Sequence, residues 1–142
     1  MKPNLHQAVP FFIVGSMEKS LNCCVKGLAF ELKNKWEPKG TIEWCWLERD
    51  GVALMLQENR EDFPPKETPG IGFSLYVICE NALQLYQEFG QRGLLPDEPF
   101  VGNGMWVVAI KDPDGFRLAF ESLTETQEGT RYSEWLHSQK PD

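Results

Sequence analysis

The stretch of sequence that decides the fold is KDPDGFRLAFES, residues 111–122. Its Asp-Pro-Asp-Gly segment predicts a turn, because proline fixes φ, aspartate side chains accept hydrogen bonds from nearby backbone N–H groups, and Gly115 tolerates a positive φ. The residues after the turn alternate in the way that is typical of a β-strand. One face of this strand carries two phenylalanines and a leucine, and the other carries Ala119 between Arg117 and Glu121. The small, chemically inert side chain of Ala119 at that position needs an explanation.

The composition of the chain is that of an ordinary soluble globule. Its 142 residues, 42% of them hydrophobic and 25% charged, predict a single domain. No apolar run approaches the roughly 20 residues of a membrane span, and the N-terminus lacks the apolar core of a signal peptide. The net charge of −7 argues against a nucleic-acid backbone as partner. We therefore expect a cytoplasmic protein that binds neither membranes nor nucleic acids.

The four cysteines, Cys23, Cys24, Cys45 and Cys79, contain no CxxC pair and no metal-ligand spacing. Adjacent residues of a helix point in different directions, so Cys23 and Cys24 are poorly placed to form a disulfide bond with each other. Buried, reduced thiols are therefore the expectation for these residues.

The order of elements that leads to the turn occurs twice in the chain. In the first half, a strand at 10–14 precedes a helix that begins after Ser16 and ends at Gly27. Strands at 41–48 and 52–58 follow, and an Asp-Gly turn separates them. The first half is thus predicted to be a strand, a helix and an antiparallel meander.

The second half repeats this order. A strand at 74–79 precedes a helix that begins after Asn81 and ends at Gly93, and strands at 105–110 and 116–122 follow. Neither half could bury a sheet face alone, so the two are expected to pack together around a shared cleft. We predict one α+β domain over the whole chain, divided into module one at 8–58, a linker at 59–70, module two at 71–122, and a tail at 123–142 with a short helix around Tyr132, Trp135 and Leu136.

These elements resemble those of the vicinal-oxygen-chelate superfamily, which includes glyoxalase I, bleomycin-resistance proteins and extradiol dioxygenases. The resemblance rests on the opening VPFFIVGSMEKSL at 9–21, on the helix exit GLAFELKN at 27–34, and on DPDG before the last strand. The resemblance covers residues 8–122. It depends on the order of the motifs and on the internal repeat, taken together. It implies an α+β fold of two βαβββ modules that form an incomplete barrel around a cleft, usually assembled as a homodimer.

In the metalloenzymes that the sequence resembles, a divalent metal in the cleft is held by side chains from the first and last strands of each module. The resemblance places Val9, Met55, Ser74 and Ala119 at these positions. Valine and alanine offer no donor, methionine sulfur is a soft ligand, and a lone serine hydroxyl is weak. The resemblance thus implies that Ala119 stands where a chelating carboxylate stands in those enzymes, and we expect no metal and no other cofactor. The nearby side chains that could rebuild part of a metal site are those of His6, Gln57 and Glu121.

Aromatic side chains are the other candidates for function. Trp44 and Trp46 alternate on one predicted strand, and Trp106 lies on the corresponding strand of the second half. We expect all three on one concave face, where they would stack on a flat ligand and attract a cation. Filling the core or a dimer interface is the alternative role for these rings. The predicted ligand-binding residues are Trp44, Trp46, Met55, Trp106 and Ala119.

The leading hypothesis is that the protein binds a small organic molecule without metal and without catalysis, in the manner of bleomycin-resistance proteins, and favours cationic aromatic compounds. The alternative is a metal-dependent, glyoxalase-like lyase or dioxygenase with a noncanonical site. A third hypothesis is a structural or regulatory module whose cleft is filled by its own side chains. The sequence leaves open the identity of the ligand, and whether the cleft closes within one chain or across a dimer.

Overall fold

The computed structural model of the protein describes residues 3–59 and 72–140, which form two modules of the same topology. The first module comprises β1 (Phe11–Val14), α1 (Met17–Leu21), a π-helical segment (Asn22–Gly27), β2 (Glu31–Trp36), β3 (Trp44–Arg49) and β4 (Val52–Glu58). The second comprises β5 (Ser74–Ile78), α2 (Ala82–Gln91), β6 (Phe100–Gly102), β7 (Met105–Lys111) and β8 (Arg117–Leu123), and the helix α3 (Tyr132–Ser138) follows it.

Each module builds one four-stranded mixed sheet. The strand orders are β1-β4-β3-β2 and β5-β8-β7-β6, so the first strand of each module lies beside its last. These two pairs are parallel, and the remaining neighbours are antiparallel. The predicted α+β fold of two βαβββ modules is confirmed, and the two sheets do not close into one barrel.

The helices begin at the residues that the sequence predicts as caps. The Ser16 hydroxyl accepts a hydrogen bond from the backbone N–H of Lys19 at 3.3 Å, and the side-chain oxygen Oδ1 of Asn81 accepts one from the backbone N–H of Gln84 at 3.0 Å. Each cap satisfies a backbone donor that has no partner inside its helix. Both helix starts are therefore set by local sequence.

The two hairpins that end the modules have turns of different length. The β3–β4 turn has only two residues, Asp50 and Gly51, with φ of 50° and 83°. The β7–β8 loop spans 112–116, because Lys111 and Arg117 are the last paired residues. In this loop one carboxylate oxygen of Asp112 accepts two backbone N–H hydrogen bonds, at 2.8 and 2.9 Å.

The helices lie on one side of the two sheets, and a single hydrophobic core on that side joins the modules. Phe12 of β1 stacks on Phe116 of the β7–β8 loop, with ring centroids 4.3 Å apart. Arg49 at the end of β3 forms a bidentate ion pair with Glu88 of α2, at 2.8 and 3.0 Å. Within residues 3–59 and 72–140, the opposite side of each sheet carries no helix, and we call it the helix-free face.

Most predicted elements lie within three residues of their expected positions. Two strands, β2 and β6, were not located from the sequence. All six residues of β2 are exposed, so the strand has no buried alternation, and β6 has only three residues. The predicted linker at 59–70 falls outside the described residues except for Asn59.

Two further expectations concern the thiols and the membrane. The four cysteines are free, three of them buried and Cys79 half-buried, as the sequence predicts. Among the helices in 3–59 and 72–140, none combines the length and the apolar character that crossing a bilayer requires.

Candidate functional site

The candidate site is formed by the helix-free faces of the two sheets. In β3, Cys45 and Leu47 are fully buried in the core, so Trp44 and Trp46 lie on the opposite side of the strand. Met55 of β4 is in register with Trp46, and both side chains are half-buried. Neighbouring strands of the first sheet thus bring two indole rings and a thioether together.

Two cross-strand rows form this surface, which we call the tryptophan face. Gln57 and Asn34 are the polar members of the rows, and Glu48 supplies a carboxylate two residues beyond Trp46 on the same side of β3, in register with Glu31 of β2. The surface is therefore mainly aromatic and apolar, and its edge carries the carboxylates of Glu48 and Glu31 with the ammonium group of Lys33, which pairs with Glu31 at 2.9 Å. The rows are Phe11–Met55–Trp46–Asn34 and Ile13–Gln57–Trp44–Trp36.

The corresponding surface of the second sheet, which we call the tyrosine face, has Ala119 at its centre. Ala119 is flanked in register by Tyr76 of β5 and Ala109 of β7, and it packs with Ala109 and Val107 in a small, fully buried cluster. The Arg117 guanidinium donates a hydrogen bond to the Tyr76 hydroxyl at 3.2 Å and lies 5.6 Å from the centre of its ring. The structure thus gives a packing reason for the small side chain at 119.

Charges of both signs lie on the tyrosine face. Lys111 and Arg117 are cross-strand partners beside the β7–β8 loop. Glu121 lies two rows further along, in register with Ile78 on one side and Val107 on the other. This face therefore offers a ligand both cationic and anionic groups.

Large side chains on both faces are exposed in a single chain, although the centre of the tyrosine face around Ala119 is buried. Phe11 and Trp36 on the tryptophan face are 49% and 48% exposed, and Tyr76 and Ile78 on the tyrosine face are 54% and 65% exposed. Large apolar side chains grouped at such exposure mark an interaction surface rather than an ordinary solvated one.

Trp106 does not lie with the other two predicted tryptophans. It is buried in the core, where it packs edge-on against Trp135 and Tyr132 of α3, with ring centroids 5.8 and 6.5 Å apart. The expectation that Trp106 shares a face with Trp44 and Trp46 is wrong. Its ring anchors the C-terminal helix to the second sheet and is turned away from the candidate site.

The positions at which the resemblance implies metal ligands do not fit a divalent cation. Met55 lies on the tryptophan face, Ser74 and Ala119 lie on the tyrosine face, and Val9 precedes β1. One thioether and one hydroxyl are the donors that this set offers, and neither suits a hard or borderline divalent ion. Within the described part of the chain, no three His, Cys, Asp or Glu side chains are grouped to hold a metal ion.

Sequence reasoning did not select Tyr76 or Arg117 as site residues. The available signal was strand alternation, which places Arg117 on the same side of β8 as Ala119. The parallel pairing of β5 with β8, which brings Tyr76 beside them, joins strands far apart in the sequence and leaves no local mark.

No protein-family model matches the sequence, and no curated protein matches it. Solved structures do match. TnmS3, an antibiotic binding protein from Streptomyces sp. CB03234, is 17% identical over 87% of this chain and 100% of its own, with a TM-score of 0.67. A glyoxalase/bleomycin resistance protein/dioxygenase from Nocardioides is 16% identical over 90% of this chain and 89% of its own, with a TM-score of 0.67. TioX from Micromonospora sp. ML1 is 16% identical over 84% of this chain and 99% of its own, with a TM-score of 0.68.

These matches confirm the fold that the resemblance implies. The chain has the fold of the glyoxalase and bleomycin-resistance proteins, and it matches several of them along most of their length. Sequence identities below a fifth establish shared architecture and leave the ligand and the chemistry to be argued from the site.

Proposed function

We propose that the protein binds a small, planar organic molecule on its helix-free faces and does not transform it. The observation that carries the proposal is the tryptophan face, where Trp44 and Trp46 lie half-buried beside Met55. Indole rings stack on flat ligands, and a thioether packs well against aromatic rings. Metal chemistry has no role in this proposal, because the side chains at the implied ligand positions supply too few suitable donors.

A preference for cations over anions is part of the proposal. Glu48 lies on the same side of β3 as Trp44 and Trp46, the neighbouring Glu31 is paired with Lys33, and the chain carries a net charge of −7. A cation above a well-placed indole ring gains roughly 0.5–2 kcal/mol, and the field of an acidic protein favours its approach. An anion of the same shape keeps the stacking but is repelled by this field.

The structural neighbours support the same class of function. TnmS3 is described as an antibiotic binding protein, and a further neighbour from the same Streptomyces strain as a glyoxalase/bleomycin resistance protein. Because one fold hosts many functions, this support concerns the class of ligand, a small organic molecule, and not its identity.

We propose that a second copy of the chain covers part of the open faces. The side chains that such a contact would protect from water include Phe11 and Trp36 on one face and Tyr76 and Ile78 on the other. Closed pairing about a two-fold axis is the commonest way in which such surfaces are buried. The free thiols at all four cysteine positions support a cytoplasmic location.

Isothermal titration with two matched planar ions tests the binding proposal. We expect 9-aminoacridine, a cation, to bind saturably and acridine-9-carboxylate, an anion, to bind about threefold or more weakly. Trp44→Ala and Trp46→Ala are each expected to weaken binding of the cation by about threefold to tenfold, because each removes one stacking ring. Leu95→Ala is the matched control, since Leu95 is a fully exposed apolar residue in the α2–β6 connection.

Two outcomes would overturn the proposal. One is that neither acridine binds. The other is that both tryptophan variants remain folded by circular dichroism and bind 9-aminoacridine as tightly as the Leu95→Ala control. Equal binding of the two acridines by the wild-type protein would remove the cation preference alone.

A further inference from the structure

A groove on the helix side of the molecule is separate from the tryptophan face, and Lys111 at the end of β7 borders both this groove and the tyrosine face. Its volume is about 790 Å³, and it lies where the π-helical segment of the first module meets the β7–β8 loop of the second. This volume is within the range of small-molecule sites, roughly 300–1,000 Å³. The apolar wall of the groove consists of Leu21, Val25, Leu32 and Leu94.

One end of this wall depends on a glycine. A Cβ atom at Gly27 would lie 2.8 Å from the side chain of Leu94, so glycine is what lets Leu94 pack directly on the π-helical segment. The contact ties the connection after α2 to the first module and gives the groove a fixed apolar end.

Asp112 lines the same groove and has an unsatisfied carboxylate oxygen. The residue is 6% exposed. Its Oδ1 accepts the two backbone hydrogen bonds that shape the β7–β8 loop, whereas Oδ2 is buried without a hydrogen-bond partner among the described residues. A buried acceptor without a partner is costly, and a donor that reaches it recovers much of that cost. Because Asp112 is one of the residues that line the groove, a ligand donor at this end of the groove lies next to its carboxylate.

The charges around the groove determine what kind of donor fits. Lys19, Lys26 and Lys111 line it and are exposed, and Glu18 is a single carboxylate among them. A cationic ligand would meet these three ammonium groups, and an anionic ligand would meet the Asp112 carboxylate at close range. A neutral apolar molecule with an N–H or O–H donor is repelled neither by the ammonium groups nor by the Asp112 carboxylate.

We infer that the groove is a second binding site, for a neutral apolar molecule whose N–H or O–H donates to Oδ2 of Asp112. The apolar wall takes the body of the ligand, and the unsatisfied oxygen orients it. This site is on the opposite side of the sheets from the tryptophan face, so the two sites can be occupied independently.

Indole and benzofuran test the site, because they share one shape and only indole carries an N–H. Methyl NMR of protein labelled at leucine and valine locates the binding, since Leu21, Val25 and Leu94 lie in the groove. We expect both probes to shift these methyl signals and indole to bind about tenfold more tightly than benzofuran. We expect benzamidinium and benzoate, a cation and an anion, to bind more weakly than indole.

Two variants distinguish the contribution of Asp112 Oδ2 to binding from that of the apolar wall. Asp112→Asn keeps Oδ1 as the acceptor for the loop and replaces Oδ2 with an N–H₂ group, so the preference for indole over benzofuran is expected to disappear. Leu32→Ala removes an exposed part of the apolar wall. It is expected to weaken the binding of both probes and to leave the ratio of their affinities unchanged. Asp50→Asn, in the exposed turn of the other hairpin, is the control and is expected to bind as wild type.

The inference is overturned by any of three results. The groove methyl signals do not respond to indole; indole and benzofuran bind equally to the wild-type protein; or Asp112→Asn, folded by circular dichroism, keeps the full preference for indole. Tighter binding of benzamidinium than of indole would overturn the assignment of a neutral ligand. If Asp112→Asn does not fold, the ratio of indole affinity to benzofuran affinity is the test. The inference requires this ratio to be about ten in the wild-type protein and unchanged in Leu32→Ala.

Discussion

Replacing Asp112 with asparagine is expected to change how the stability of the protein depends on pH. Burial raises the pKa of Asp112 from its ordinary value of 3.8 to about 6, because the loss of water outweighs the hydrogen bonds that its carboxylate accepts in the β7–β8 loop. An acid whose pKa is higher in the folded than in the unfolded protein contributes stability at low pH. That contribution is lost as the pH rises through the folded-state value.

The size of the effect follows from the shift in pKa. About two pKa units at roughly 1.36 kcal/mol each correspond to about 3 kcal/mol of stability, present below about pH 4 and lost by about pH 7. Asparagine keeps Oδ1 as an acceptor and cannot ionise in this range. The free energy of unfolding of Asp112→Asn, relative to wild type, should therefore rise by about 2–3 kcal/mol between about pH 4 and about pH 8.

Urea unfolding followed by circular dichroism at a series of pH values measures this difference directly. Asp50→Asn is the matched control, because Asp50 lies in the other hairpin turn with its side chain 92% exposed, and its positive φ is also tolerated by asparagine. The control should run parallel to the wild-type protein over the whole pH range. A constant difference between Asp112→Asn and wild type, or one that falls as the pH rises, would refute the reasoning.

Three further predictions concern metal, assembly and the module junction. After incubation with Zn²⁺, Ni²⁺, Mn²⁺ or Fe²⁺ and desalting, elemental analysis should find well under one equivalent of metal; stoichiometric metal that is lost in Gln57→Ala or Glu121→Ala would contradict this. Light scattering at micromolar concentration should report a homodimer that Tyr76→Asp dissociates, and a wild-type mass near 16 kDa would be the contrary result. Arg49→Ala should lower the free energy of unfolding by about 1–3 kcal/mol, because it leaves the partly buried Glu88 carboxylate without its bidentate partner. A decrease in this free energy no larger than that caused by an exposed lysine-to-alanine change would show that the ion pair contributes little.

Local sequence signals were sufficient for the elements with strong patterns. Strand β4, Val52–Glu58, has the predicted bounds, because an Asp-Gly turn precedes it and core residues alternate along it. By contrast, β2 is an exposed edge strand whose position is set by pairing with β3, and such pairing has no signature in its own residues. For the same reason the sequence did not predict that Tyr76 lies beside Ala119, because this contact depends on parallel pairing between strands far apart in the sequence.

The error on Trp106 has a geometric cause. Met55 and Ala119 each lie five residues after the turn aspartate on a regular strand, and both lie on a helix-free face. On the strands before the turns, β3 and β7, residues at the same distance from the turn aspartate lie on opposite sides. The reason is that the β3–β4 turn has two residues, whereas the β7–β8 loop has five. An odd difference in loop length reverses which side of the strand a residue occupies, so Trp106 faces the core while Trp44 and Trp46 do not.

The most direct test of ligand binding on the tryptophan face is to observe the five indole N–H signals of ¹⁵N-labelled protein during titration with 9-aminoacridine. We predict that the signals of Trp44 and Trp46 shift saturably, whereas those of Trp106 and Trp135, which pack against each other on the helix side of the second sheet, stay unchanged. Shifts confined to Trp106 and Trp135, or no shift of any indole signal at saturating ligand, would contradict the account.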